Sequence, residues 1–211
     1  MAPSRRRRST VLLLFVLCAC SEQVVPADKE DTLSVADIDE NTLPEDSVQL
    51  PPLPGSLADN LKWSPVDKSN DPFWKEENNE DDICPPTQWE TETEHDGVWF
   101  TIETNICGYL TVSQPLIRSI DKGEEVRIRI WYFTITIGEG EALFHIAIGA
   151  DSEPVWSSSL EIPTEKGGLI METWTAPRDY AIGETIYFNI SNHGSNSWSL
   201  IELASLSEST P

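Results

Sequence analysis

The stretch NHGSNSW, residues 192–198, carries the richest group of neutral hydrogen-bonding side chains in the chain. Asn192, His193 and Asn196 supply donors and acceptors, and Trp198 adds a flat apolar ring two residues further on. Neutral amides suit a hydroxylated ligand, and an indole can stack on the apolar face of a sugar. Because connecting loops commonly carry binding sites, the stretch predicts a ligand-binding loop that uses these four residues.

The same stretch also has a structural interpretation. Asn and Gly tolerate a positive φ, so residues 192–196 fit an ordinary turn between two strands. Strand alternation places Trp198 on the same face as Leu200, which favours a position in the core. At the level of sequence both interpretations stay open.

Side-chain patterns typical of catalysis or metal binding are missing from the sequence. It contains no GxSxG, no HExxH and no paired-cysteine metal motif, and its three histidines lie far apart. His145 alternates with apolar neighbours, which predicts the wetter face of a strand. We therefore expect no catalytic residue, no metal and no cofactor. A glycosidase-like activity is the alternative, with Glu103 and Glu172 as its two carboxylates.

The charge balance excludes one large class of partners. The 211 residues include 14 Lys and Arg against 36 Asp and Glu, for a formal net charge of −22. Phosphate binding needs clustered basic side chains, and no basic run follows Arg8. The sequence therefore predicts no nucleic-acid partner.

The first twenty residues have the layout of a secretory signal. Residues 5–8 are all arginine, and the apolar run at 11–19 is too short to span a bilayer as a helix. The run leads into Leu17-Cys18-Ala19-Cys20, which resembles the lipobox of bacterial lipoproteins. A plain cleaved signal is the alternative, but cleavage after Ala19 would put Leu17 where a small residue is preferred.

The lipobox resemblance implies where the protein resides. Residues 1–19 would be removed as a signal peptide, and Cys20 would carry diacylglycerol and an N-acyl chain such as palmitate. Three acyl chains make an effectively permanent membrane anchor, because each buried CH₂ contributes roughly 0.8 kcal/mol. Ser21 stands in place of the Asp that retains enteric lipoproteins in the inner membrane. The resemblance therefore implies a lipoprotein of the outer membrane of a Gram-negative bacterium.

Cys84 and Cys107 are then the cysteines that remain in the mature chain. An even number of cysteines in an oxidising compartment predicts a disulfide, and only one pairing is available. Closing this loop stabilises the fold by about 3 kcal/mol in the chain-entropy model. A zinc site is the competing interpretation, but two cysteines without a nearby pair of histidines supply too few ligands.

Residues 20–83 are acidic and rich in proline, and their apolar residues follow no regular period. Such a segment buries too little apolar surface to offset its backbone entropy, so we expect a disordered tether between the anchor and the domain. Trp63, Phe73 and Trp74 are unusual in a disordered tail. They leave two alternatives, an arm that lies against the domain or a peptide that docks a partner.

Residues 84–207 form the predicted domain, and residues 208–211 a disordered tail. Alternating apolar residues recur in short runs separated by turn residues, and no segment has a sustained helical period. We expect about seven to nine strands in a single all-β domain, a β-sandwich of jelly-roll type, with a barrel as the alternative. The clearest strand runs are 98–106, 125–137, 142–149, 185–191 and 197–203.

The run at residues 125–137 changes phase in its middle. Up to Ile130 aliphatic residues alternate with arginines, but from Trp131 onward the apolar residues take the opposite parity. A one-residue change of parity moves side chains to the other face of a sheet. The run therefore predicts a bulge or corner near Ile130.

Tryptophan is several times more frequent in the predicted domain than in an ordinary one. Exposed indoles beside carboxylates and amides suit sugar rings, whereas buried indoles would fill the core between two sheets. In this respect the domain resembles carbohydrate-binding modules, in class only. The tryptophans concerned are Trp89, Trp99, Trp131, Trp156, Trp174 and Trp198.

Together, the predicted anchor, tether and domain indicate a lipid-anchored envelope protein that binds a partner without catalysis. A glycan is the leading class of ligand. The alternative is a structural or accessory subunit of an envelope assembly, which would use edge strands and exposed tryptophans as a protein interface. The accessibility of the tryptophans separates the two, because a glycan needs exposed ring faces beside hydrogen-bonding groups.

Substitution of Cys20 tests the predicted anchor. In a bacterial host that acylates lipoproteins, labelled palmitate should enter the wild-type chain but not Cys20→Ser, because the serine offers no thiol for the thioether. The variant should also move from the membrane fraction to the soluble fraction. Equal labelling of both chains would contradict lipidation at this residue.

Overall fold

The computed structural model describes residues 52–76, 78–95, 97–149, 153–192 and 194–207. The predicted signal peptide, Cys20 and the first part of the predicted tether lie outside these residues. Single turns of 3₁₀-helix occur at Glu80–Asp82 and Pro86–Gln88, and no helix in the described part is long and apolar enough to cross a membrane. The strands are β1 Ser64–Pro65, β2 Trp89–Glu94, β3 Gly97–Glu103, β4 Tyr109–Pro115, β5 Glu125–Tyr132, β6 Gly140–Ile148, β7 Trp156–Ile162, β8 Gly168–Thr175, β9 Thr185–Ser191 and β10 Ser197–Ser205.

The ten strands form two five-stranded antiparallel sheets. Sheet A has the order β2-β3-β10-β5-β8, and sheet B has the order β1-β4-β9-β6-β7. The all-β sandwich predicted from the sequence is confirmed. The described strands outnumber the expectation because β1, two residues long, comes from the segment that was predicted to be a tether.

Strict alternation along the central strands builds the core between the sheets. Val126, Ile128 and Ile130 of β5 have no exposed surface, and Phe144 of β6 meets them from sheet B. Trp198 of β10 is 1% exposed and contacts Phe144 edge-on, with ring centroids 5.1 Å apart. The structural interpretation of Trp198 as a core residue therefore holds.

Two corners of the same construction carry the chain between the sheets. Residues 116–124 lead from β4 in sheet B to β5 in sheet A, and residues 176–184 lead from β8 in sheet A to β9 in sheet B. The corners meet through reciprocal backbone hydrogen bonds between Ile120 and Tyr180, of 2.9 and 2.8 Å. This junction fixes where β5 and β9 enter their sheets.

An arginine and a glutamate six residues later form an ion pair in each corner. The distances are 3.0 Å for Arg118–Glu124 and 3.2 Å for Arg178–Glu184, and the glycine before each glutamate has a φ of 87°. A hydrogen bond from the Ala181 N–H, together with the Arg178 guanidinium, outweighs burial and holds the pKa of Glu184 below its ordinary value. Its carboxylate is therefore ionised at neutral pH.

Residues 52–83 belong to the domain, which corrects the predicted boundary at residue 84. Leu57 has no exposed surface and Trp63 is 5% exposed, and both lie in the core cluster. Trp63 packs between Phe100 of sheet A and Phe188 of sheet B, with centroids 6.2 and 6.4 Å away. A few large apolar side chains in non-repeating positions anchor the segment, so neither composition nor period revealed it.

Of the bulge or corner expected in the run at 125–137, β5 contains no bulge; the change of phase falls where the chain leaves the strand, since β5 ends at Tyr132 and Ile135, of the opposite parity, is buried. β5 pairs with β8 without interruption from Glu125 to Tyr132. The register of β10 against β5 shifts between Leu200 and Glu202, opposite Ile130 and Arg129. Trp131 therefore stays in phase with the arginines of β5 and faces outward.

Replacing Trp63 tests whether the segment at 52–83 belongs to the core. Trp63→Ala should cost about 3–5 kcal/mol, because it removes a buried indole from between the sheets. The melting temperature of the full chain should then fall by about 10 °C or more. Leu61→Ala, at a neighbouring position that is 38% exposed, is the control and should change it little. Equal melting temperatures for the two variants would contradict this assignment.

Candidate functional site

The predicted ligand-binding loop turns its side chains inward. Asn192, Asn196 and Trp198 are 5%, 8% and 1% exposed. His193, the fourth predicted residue, lies outside the described residues. Side chains buried to this degree do not form the outer surface of a loop, so the three described residues are not rim donors in this conformation.

The hydroxyl of Thr104 explains this inward arrangement. Its oxygen accepts hydrogen bonds from Asn192 Nδ2 at 2.7 Å and from Trp198 Nε1 at 3.2 Å. The Thr104 hydroxyl proton can reach the carbonyl oxygen of Asn196 at 3.1 Å, and the Thr104 N–H donates to that same oxygen at 2.8 Å. Asn192 Nδ2, Trp198 Nε1 and the Asn196 carbonyl thus hold the loop to the end of β3, whereas Asn192 Oδ1 and Asn196 Nδ2 are buried without a hydrogen-bond partner among the described residues.

A cleft of about 730 Å³ lies beside this loop, and Asn192 is one of its lining residues. Amides and hydroxyls form much of its wall, and two exposed isoleucines, Ile106 and Ile137, lie at its edge. A role for the loop in ligand binding stays a prediction. The remaining polar lining residues are Lys75, Asn78, Asn79, Asp82, Thr104, Asn105, Tyr109, Ser191 and Ser195.

The segment at 66–83 lies on the outer face of sheet B. Phe73 stacks on His145 of β6 with centroids 5.4 Å apart, and the Tyr109 hydroxyl donates to Asp71 at 2.7 Å. Burial raises the pKa of Tyr109 well above its usual range, so the phenol keeps this proton. Burial, with Lys75 nearby, lowers the pKa of His145. The predicted arm against the domain is thus observed.

The predicted disulfide is confirmed, and it closes the end of this arm. Cys84 follows the arm directly, and Cys107 lies between β3 and β4. The backbone N–H of Cys84 also donates to the carbonyl of Tyr109 at 2.8 Å. The arm is therefore fixed covalently at the residue where it leaves sheet B.

Sheet A presents a different outer face. Ser199 of β10 pairs with Thr101 of β3 on one side and with Trp131 of β5 on the other. This row spans about 10 Å, because neighbouring strands lie about 4.8 Å apart. Trp99 shares the face two residues before Thr101, and both indoles are half-buried. We call the surface formed by Trp99, Thr101, Ser199 and Trp131 the tryptophan face.

Two hydroxyl-bearing residues, Thr101 and Ser199, lie beneath the tryptophan face and are 1% and 3% exposed. Thr101 Oγ1 lies 3.0 Å from Ser199 Oγ, and Thr101 donates to Glu92 Oε2 at 2.6 Å. Trp99 and Trp131 lie about 12 Å apart on a diagonal across the face. They are separated by two strand spacings across the sheet and by two residues along the strand direction. The face therefore offers two apolar rings above a buried hydroxyl pair that is already hydrogen-bonded.

The two long borders of the tryptophan face differ in chemistry. Glutamates of β2 form one border, with Glu90 opposite Thr101 and Glu92 opposite Trp99. Leu169 and Met171 of β8 form the other border and are 39% and 61% exposed. One side of the face is thus acidic and the other is apolar.

Four of the eight tryptophans are buried in the core and Trp89 packs against it, which answers the question that the sequence left open. Trp63, Trp156, Trp174 and Trp198 are each 8% exposed or less. Trp131 lies on the outer face instead, as Trp99 does, and its parity was the signal that could have identified it. An aromatic residue that is in phase with Arg127 and Arg129 points to solvent when the strand is regular.

Glu103 and Glu172, the carboxylates of the glycosidase-like alternative, are not brought together. Glu103 is on the outer face of sheet A, while Glu172, three strands away, accepts a hydrogen bond from Trp156 of sheet B at 3.0 Å. Three strand spacings are about 14 Å, beyond the roughly 5–9.5 Å that glycosidase pairs use. No group of three or more potential metal ligands occurs among the residues that the structure describes.

Comparison with known proteins gives no family. No protein-family model and no curated protein matches the chain. Among solved structures, a carbohydrate-binding module specific for non-crystalline cellulose, CBM28, has a TM-score of 0.46 and 6% identity over 74% of this chain and 96% of that one. The N-terminal cellulose-binding domain of Cellulomonas fimi β-1,4-glucanase C has a TM-score of 0.37 and 17% identity over 61% and 93%.

An enzyme is also among the similar structures. An α-L-arabinofuranosidase bound to arabinose has a TM-score of 0.45 and 9% identity, over 73% of this chain and 27% of that one. The chain therefore spans only about a quarter of that enzyme. All of these TM-scores lie below 0.5, so the likenesses carry no argument about a ligand or an activity.

Removing the Thr104 hydroxyl tests the structural role of the loop at 192–198. Thr104→Val keeps the shape of the side chain but leaves the Asn192 amide and the Trp198 N–H without this acceptor. Each unsatisfied buried group costs about 1–3 kcal/mol, so we expect the melting temperature to fall by several degrees. Thr173→Val, the same change at an exposed position of β8, should have little effect. If both variants melt alike, the hydroxyl does not hold the loop.

Proposed function

We propose that the protein binds a glycan through the tryptophan face, without catalysis, and that lipid on Cys20 anchors it to the outer membrane. The observation that carries the binding proposal is the placement of two half-buried indoles, Trp99 and Trp131, on the outer face of sheet A, about 12 Å apart. The lipobox resemblance supports the anchor.

The chemistry of the tryptophan face suits a chain of sugar rings. Each indole has an apolar surface on which the C–H face of a sugar can stack, and the partly exposed carboxylates of Glu92 and Glu103 can accept hydrogen bonds from ligand hydroxyls. The diagonal of about 12 Å between the indoles is longer than one sugar ring, so an oligosaccharide that contacts both must extend across β10. Because all of these side chains stand on paired strands, the face is preorganised.

The accessibility of the two outer faces also favours sheet A over sheet B as the glycan-binding surface. On sheet B, part of the outer face is covered by the chain itself. The arm at 66–83 lies on that side, where Phe73 stacks on His145. On sheet A the large side chains at the edge, such as Met171, stay accessible.

A protein partner is the second candidate. Leu169 and Met171 are exposed on β8, which is an edge strand of sheet A. An apolar border on a strand whose outer edge has no neighbouring strand can receive a partner by strand addition. Such an interface would support the role of an accessory subunit in an envelope assembly.

Replacement of Trp131 in the full chain tests the glycan proposal. Affinity electrophoresis in gels that contain soluble glucan, xylan, galactan, mannan or chitosan should show retardation by at least one polysaccharide. Trp131→Ala should weaken that binding at least tenfold, because a stacked indole contributes on the order of 1.5–3 kcal/mol. Its melting temperature should change little, because the side chain lies outside the core.

Trp74→Ala is the matched control, since Trp74 is a half-buried indole of the arm that contacts Tyr109 on the side of sheet B. This variant should retain glycan binding. Loss of binding in Trp74→Ala but not in Trp131→Ala would move the site to the arm. Retardation by none of the polysaccharides would contradict the proposed function.

A further inference from the structure

We infer that the cleft beside the loop at 192–198 is a second binding site, which takes a small neutral sugar. This site goes beyond the proposed function, because none of the described residues that line the cleft belongs to the tryptophan face. The fixed walls of the cleft, a buried acceptor without a partner and the balance of charges along the lining support it.

Backbone hydrogen bonds hold three segments together at the cleft. The N–H of Gly108, between β3 and β4, donates to the carbonyl oxygen of Asp82 on the arm at 2.8 Å. The N–H of Asn192, after β9, donates to the carbonyl oxygen of Gly108 at 2.9 Å. All three residues line the cleft. A Cβ at Gly108 would lie 2.9 Å from the Asn192 carbonyl oxygen, so a side chain there would force the segments apart. The cleft is therefore preorganised.

The side chain of Asn192 leaves one buried acceptor without a partner. Its Nδ2 group donates to Thr104 Oγ1 at 2.7 Å and to the carbonyl oxygen of Gly194. That carbonyl can only accept, so the amide nitrogen must face it and Oδ1 takes the other side. Asn192 is 5% exposed, and its Oδ1 has no hydrogen-bond partner among the described residues. Because a buried acceptor without a donor is costly, we expect a ligand in the cleft to supply that donor.

The lining of the cleft favours a neutral ligand. Among its described residues the full charges are those of one lysine, Lys75, and one aspartate, Asp82. An anion or a cation would therefore meet one like charge for each opposite charge. The other polar side chains of the described lining are amides and hydroxyls. An apolar ligand would cover these groups without replacing the hydrogen bonds that they make to water.

A sugar fits both the polar wall and the apolar edge of the cleft. A hydroxyl both donates and accepts, so a sugar hydroxyl can donate to Asn192 Oδ1 and accept from another lining group. Asn105 and Ser195 are exposed lining residues that can pair with further hydroxyls. Ile106 and Ile137, at the edge, can pack against the C–H face of a ring. The volume of about 730 Å³ lies within the roughly 300–1,000 Å³ of small-molecule sites, which suits a mono- or disaccharide.

An NMR titration of the full chain with small sugars tests the inference. The probes are the methyl glycosides of glucose, galactose, mannose and xylose, together with cellobiose and lactose. At least one of them should cause saturable shifts of the backbone amide signals of Gly108 and Asn192 and of the Asn192 side-chain amide. Sodium phosphate at the same concentration is the anionic comparison and should leave these signals unchanged.

A substitution that fills the cleft assigns the shifts to this site. Ser195 is an exposed lining residue, so Ser195→Trp should fold normally and weaken the binding at least tenfold by occupying the cleft. Ser159→Trp, the same change at an exposed position of β7 away from the described lining, is the control and should bind like the wild type. Asn192→Ala should also abolish binding, but it removes the bond to Thr104 as well, so Ser195→Trp decides.

The outcomes separate this site from the tryptophan face. Sugar shifts confined to Trp99 and Trp131 would overturn the second site and leave the proposed function in place. Shifts at Gly108 and Asn192 that Ser195→Trp removes would support the second site, even if the tryptophan signals stay unchanged.

Two further results would overturn the inference. Shifts at the cleft caused by phosphate and by none of the sugars would make it an anion site beside Lys75. Shifts caused by no probe, or sugar shifts that Ser195→Trp leaves as they are, would mean that the Asn192 acceptor is satisfied by ordered water only.

Discussion

The uninterrupted pairing of β5 with β8 decides which side chains of sheet A meet solvent. Because successive side chains on a strand alternate between faces, eight regular pairs keep Trp131 in phase with Arg127 and Arg129 and opposite Ile130. The bulge that accommodates the pairing of β10 with β5 lies in β10 itself, between Leu200 and Glu202. A bulge in β5 would instead have sent Trp131 into the core.

The two outer faces of the sandwich then have different roles. On sheet B the arm packs through Phe73 and Asp71 and is fixed by the bond between Cys84 and Cys107. On the outer face of sheet A, Trp99 and Trp131 are half-buried, and Leu169 and Met171 of β8 are accessible. The two corners meet at Ile120 and Tyr180 and hold the sheets against each other. Each sheet therefore has one face in the core and one outer face.

The sequence predicted the features that depend on local periodicity or on simple counting, namely the all-β sandwich and the disulfide. It did not reveal the contribution of Leu57 and Trp63, because two anchors without a period are invisible to a search for periodicity. The change of phase near Ile130 was recognised, but a single strand cannot show that β5 stays regular to Tyr132 and that the bulge lies in β10. The sequence did not reveal that Thr104, which is distant in the chain, holds the loop after Asn192, and a binding role for that loop stays a prediction.

The most direct test of the account is an NMR titration of the indole N–H signals with the polysaccharide fragments that retard the protein. The account predicts that the signals of Trp99 and Trp131 shift on binding, while those of the core residues Trp156 and Trp174 do not. Shifts confined to Trp74 on the arm, with Trp99 and Trp131 unchanged, would contradict a binding site on sheet A.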